Sequence, residues 1–95
     1  LGLPPIYREP YNVISNSATL NFGSIGANDY ADLTIALVGA KVGDAVQLGT
    51  PALTTDNYFF TAFVSATDVV TVRCINYDGG AVDPASGTFN VKIAR

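Results

Sequence analysis

Histidine, tryptophan and methionine do not occur in this chain, and cysteine occurs once. Without histidine there is no general base of the commonest kind, no usual partner for a Ser or Cys nucleophile, and no imidazole for zinc. Charge is also scarce: 14% of the 95 residues are charged while 48% are apolar, against roughly a quarter charged in an ordinary soluble domain. Glutamate appears only as Glu9 and lysine only as Lys41 and Lys92, so the long solvating side chains of a free-standing surface are nearly missing. That deficit predicts oligomerisation or a larger assembly. The lone Cys74 can make no intramolecular disulfide, which fits folding inside a cell. No Met marks an initiator, so the chain is expected to have been trimmed or to begin inside a longer one.

No apolar run approaches the roughly 20 residues of a membrane helix, and no secretory signal is expected at a start interrupted by Pro4, Pro5 and Pro10. The five basic residues Arg8, Lys41, Arg73, Lys92 and Arg95 are scattered through a chain of net charge −3. Phosphate recognition needs them clustered, so the expectation is no nucleic acid and no membrane as partner.

What is present is strand signal. Short runs of Val, Ile, Phe, Tyr and Thr recur between clusters of Gly, Asn, Asp, Pro and Ser, with no sustained helical spacing. Residues 1–12 hold three of the five prolines, which remove ladder donors and keep the backbone extended; they read as an N-terminal arm, and 13–95 as one β-domain. Strands are expected near Ala18–Phe22, over 31–38 with Leu33, Ile35 and Leu37 on one face, at Ala45–Leu48, at Tyr58–Ser65 covered on both sides, at Val69–Asn76, and at Thr88–Ala94. The fourth and fifth form a hairpin. The predicted fold is all-β, an antiparallel β-sandwich of about six to seven strands, jelly-roll-like or immunoglobulin-like, with an extended arm.

Cys74 falls in the alternation Val70, Val72, Cys74 and is expected in the core. Asp29, Asp32, Asp78 and Asp83 match no calcium-loop spacing, since no Glu follows Glu9; turn and capping roles are expected, with no metal, cofactor or catalytic residue assigned. The row Tyr58, Phe59, Phe60 and Phe63 reads as core. Outward positions carry Thr34, Ala36, Thr61 and Thr71 where Lys or Glu would be ordinary, which predicts faces able to pack against other chains. In the arm, Ile6, Tyr7 and Tyr11 are candidate anchors flanked by Pro4, Pro5 and Arg8, because amphipathic aromatics carry much of an interface's energy.

The stretches ATLNFGSIGANDYADLTIALVGAKVGDAVQLG, FTAFVSATDVVTVRCIN and AVDPASGTFNVKI resemble small β-domains of tailed-bacteriophage virions, found in head decoration (cement) proteins and in tail-associated or fibre proteins. The resemblance implies a virion location and a homotrimeric habit; that the chain is not an enzyme is expected from its residues, which include no histidine and only a core-patterned cysteine. On that basis the chain is expected to be a capsid decoration protein at the particle surface, folded in the host cytoplasm. Its expected partners are the major capsid protein, or another virion protein, and copies of itself, bound through Pro4, Pro5, Ile6, Tyr7, Arg8 and Tyr11. The alternative is a receptor- or carbohydrate-binding module of a tail fibre, with contacts from Asp56, Asn57, Tyr58 and the loop Asp78–Asp83.

Overall fold

The computed structural model describes residues 13–52 and 57–94, and in these every regular element is a strand: β1 (Val13–Leu20), β2 (Tyr30–Ala36), β3 (Gln47–Gly49), β4 (Tyr58–Ala66), β5 (Val69–Asn76) and β6 (Gly87–Ala94). They form two antiparallel three-stranded sheets in the orders β1-β6-β3 and β2-β5-β4. The expected all-β, antiparallel, six-stranded architecture is therefore present.

Alternation places the core. In β6, Phe89, Val91 and Ile93 are buried while Thr88, Asn90, Lys92 and Ala94 are exposed. They meet Val70 and Val72 of β5, Ile35 of β2 and Val64 of β4, so the two sheets share one apolar interior, as in a β-sandwich. Its centre is aromatic. The Phe89 ring lies 4.8 Å from Phe60 and 5.8 Å from Phe22, both edge-on, the geometry the ring quadrupole prefers.

Several elements differ from expectation, among them β2, which is Tyr30–Ala36 rather than 31–38. β1 begins at Val13, not near Ala18, and ends at Leu20. The Ser15-Asn16-Ser17 run resembles a turn, but eight consecutive pairings with β6 hold it extended, with Ser15 and Ser17 exposed. β3 is Gln47–Gly49 rather than Ala45–Leu48. β4 is not covered on both sides: Phe59 and Phe63 are exposed on its outer face, while Tyr58, Phe60, Ala62 and Val64 turn inward.

Two polar knots hold the loops. At one end the β4–β5 hairpin turns through Thr67 and Asp68, the latter at φ 64°, a left-handed conformation that Asp tolerates. Asp68 donates its N–H to the Ala40 carbonyl (2.9 Å) and accepts from the Leu37 N–H at its own carbonyl (2.9 Å). Its Oδ1 accepts from Gly39 N–H at 2.8 Å. Gly39 sits at φ 97°, a conformation that favours glycine, and Ile14 lies only 3.3 Å from where a Cβ would be. At the other end, buried Asn76 donates Nδ2 to the carbonyls of Gly26 and Gly80, each at 2.9 Å, and Ile25 at 3.2 Å. Its Oδ1 accepts from Asp78 N–H at 2.9 Å. Ile25 and Val82 exchange backbone bonds alongside.

Candidate protein-binding face

The two outer faces are chemically different. On the β1-β6-β3 sheet the outward residues are Ser15, Ser17, Thr19, Gln47, Thr88, Asn90 and Lys92, with Gly49 and, at one corner, Val13 beside Ala94, a largely polar set without aromatic rings. On the β2-β5-β4 sheet, register builds cross-strand rows: Tyr30 beside Ile75 and Phe59, Asp32 beside Arg73 and Thr61, Thr34 beside Thr71 and Phe63, and Ala36 beside Val69. Tyr30, Phe59, Phe63 and Tyr77 are 53%, 47%, 38% and 54% exposed. Thr34, Ala36, Thr61 and Thr71, the outward positions noted for lacking charge, all belong to this one face.

Its centre is pinned by Arg73. The guanidinium donates from Nε to Asp32 Oδ1 at 2.8 Å and from Nη2 to Asp32 Oδ2 at 2.9 Å, a two-point fork that fits carboxylate geometry. The same group lies 4.3 Å from the Tyr30 ring centre and 5.2 Å from that of Phe63, within cation–π range. Beside it Thr71 donates its hydroxyl to Ser65 Oγ at 2.6 Å, and the Phe59 and Tyr77 rings lie 6.0 Å apart. The face is thus aromatic, cross-linked at its centre and close to electrically neutral. Aromatic residues and arginine are the types enriched at the energetic centres of protein interfaces.

The Arg73 hydrogen bonds hold the Asp32 carboxyl below the usual carboxylate range, with partial desolvation opposing and the guanidinium charge adding. Because the folded value is depressed, the pair's contribution to stability is present above the unfolded carboxylate range, about 3.9, and is lost as pH falls through the lower folded value. The stability difference between wild type and Asp32→Asn is expected to be constant near neutrality and to shrink towards zero in strong acid, read from thermal melts across that range. A gap that stays constant into strong acid would show that the ion pair contributes nothing.

The other candidate residues divide. Pro4, Pro5, Ile6, Tyr7, Arg8 and Tyr11, together with Asp56, lie outside the described residues. Asn57 and Asp78 do meet, Nδ2 to Oδ2 at 3.3 Å, while Tyr58 is largely buried, edge-on to Phe60 and in a cluster with Ile25 and Cys74. Cys74 is fully buried, as expected, and burial pushes its thiol up to about 11, far from the thiolate chemistry of a nucleophile. Asp29 Oδ1 accepts from the Tyr30 N–H and Asp78 Oδ1 from the Gly79 N–H, both at 2.8 Å, the turn roles expected of them. Among the described residues no group of three or more Cys, Asp or Glu is placed to hold a metal ion.

Sequence reading missed Phe59 and Phe63 as surface because both alternating series of β4 carry aromatics. The available signal was polarity: the series Phe59, Thr61, Phe63, Ser65 contains both hydroxyl residues, and the series Tyr58, Phe60, Ala62, Val64 contains only tyrosine's phenol.

The fold and this face define a class: a small all-β domain of two antiparallel sheets with one aromatic, weakly charged outer surface. No protein-family model, no curated protein and no solved structure matches the chain.

Proposed function

We propose that this chain is a non-catalytic structural protein of a tailed-phage particle, a capsid decoration protein bound to the major capsid protein. The sandwich presents the aromatic β2-β5-β4 face to neighbouring chains, and the Pro-rich segment 1–12 supplies the attachment arm. The observation that carries the binding role is the Tyr30, Phe59, Phe63 and Tyr77 surface centred on the Asp32–Arg73 fork: a patch of this kind marks an interaction site on a soluble domain. The virion assignment rests on the sequence resemblance. A jelly-roll winding is the sandwich type proposed, supported by the nested pairing of β1 with β6 and β2 with β5 in alternate sheets; jelly rolls recur in viral capsid and lectin domains.

The tail-fibre reading has one observation in its favour, since exposed aromatic rings on a rigid sheet also stack sugars. Quantitative proteomics of particles purified from a lysate of the encoding host separates the readings. Hundreds of copies sedimenting with heads are expected; a few dozen copies with tails supports the fibre module, and absence from particles overturns both. Deleting residues 1–12 is expected to leave a folded domain that no longer binds heads, whereas undiminished binding removes the arm from the mechanism.

A further inference from the structure

Among the described residues β4 is one of the two edge strands of its sheet, and its nine residues, YFFTAFVSA, contain no charge and no proline. Such an edge presents unpaired backbone donors and acceptors, and natural proteins ordinarily protect it with Lys, Pro, inward-pointing charge or a covering loop. The other edges are better guarded. β2 carries Asp32, and Asn16 Nδ2 donates to its Ala36 carbonyl at 2.7 Å. β3 has three residues. β1 shares the Asn16 bridge and has Ser15, Asn16 and Ser17 at its centre. On β4 the one interruption is the irregularity between Val64 and Ala66, which leaves Tyr58–Val64 straight.

We propose that β4 pairs antiparallel with β4 of a second copy of this chain, across a two-fold axis at Thr61, joining two β2-β5-β4 sheets into one six-stranded sheet. This goes beyond the virion reading, because the pairing is a property of the chain alone, and it sets a two-fold dimer in place of the homotrimeric habit that the resemblance implies. In this register Thr61 faces Thr61, and Phe59 of each copy stands beside Phe63 of the other on the outer face, making two cross-strand aromatic pairs. On the inner side Phe60 meets Ala62, and Tyr58 meets Val64. Charge favours a copy over other occupants: the chain carries net −3, but β4 is uncharged and Arg73, directly beside Thr61, is neutralised by Asp32. The chain's own segment 1–12 is a poor strand partner, since its three prolines lack ladder donors. Seven paired residues span about 24 Å of edge and bury on the order of 1,000 Å² with their side chains, the lower limit of a specific interface. Association is therefore concentration-dependent.

Sedimentation equilibrium on the full chain is expected to show a monomer–dimer equilibrium at micromolar concentrations. Thr61→Glu places like charges face to face across the axis and is expected to weaken dimerisation roughly a hundredfold. The monomer should tolerate it, because position 61 is exposed; far-UV circular dichroism and the melting midpoint check this. Thr61→Cys treated with oxidised glutathione is expected to form a disulfide-linked dimer faster than Val38→Cys, a control at an exposed loop position, with buried Cys74 silent. A wild type that stays monomeric, a trimeric mass, a folded Thr61→Glu that associates like wild type, or cross-linking no faster than the control each overturn the proposal. If Thr61→Glu fails to fold, the cross-linking comparison decides.

Discussion

Phe89→Ala is expected to lower stability by about 3–5 kcal/mol. The side chain is 1% exposed and its ring meets Phe60 and Phe22 edge-on at the point where the two sheets face each other. Truncation removes the transfer energy of the ring and both aromatic pairs, and the resulting cavity is walled by strands that hydrogen bonding holds apart. A domain this size loses roughly 4–8 °C in Tm per kcal/mol, so a fall of roughly 12–40 °C is expected in a thermal melt. Since total stability is about 5–15 kcal/mol for a typical domain, the variant should lose between about a fifth and all of it. A fall below about 5 °C would mean that the core closes over the gap and that Phe89 is not its keystone.

Asn76→Ala is expected to cost about 3 kcal/mol through a different mechanism. The methyl group leaves the carbonyls of Ile25, Gly26 and Gly80 and the N–H of Asp78 without the partner they have now, and a 1% exposed position gives water little access. The damage should be local before it is global. Hydrogen exchange is expected to accelerate at Ile25, Asn28 and Val82, whose amides bond between these loops, while amides paired between β1 and β6 keep their protection. Asn76→Asp provides a second test. At neutral pH it turns a carboxylate towards three carbonyls, so it should be less stable than wild type by at least as much as alanine, and should recover as acid protonates it and restores one donor. Uniform loss of protection across the sheets would instead place Asn76 in the global core.

Much of the fold was legible because strand chemistry is local. β5 was predicted to its observed ends: Val69–Asn76 is rich in β-branched residues and follows a tight turn. In β6, Phe89, Val91 and Ile93 alternate with polar neighbours so regularly that the buried face could be named. Cys74 was placed in the core by the same period. β1 was harder to read, because Ser15-Asn16-Ser17 favours turns locally and only the ladder to β6, formed by residues 67 to 81 positions away in sequence, overrides that preference.

The candidate site divides along the same line. Composition by itself determined that the chain has no histidine and is short of charged side chains, since both follow from which residues exist at all. Period-two alternation determined that Thr34, Ala36, Thr61 and Thr71 point away from their strands' inward series. Only the tertiary structure decided that these four share a face with Tyr30, Phe59, Phe63 and Tyr77, that Asp32 and Arg73, 41 residues apart, lock together in its middle, and that β4 stands at an edge. Strand order and register arise from long-range pairing, and a local pattern carries no information about which strand lies beside it.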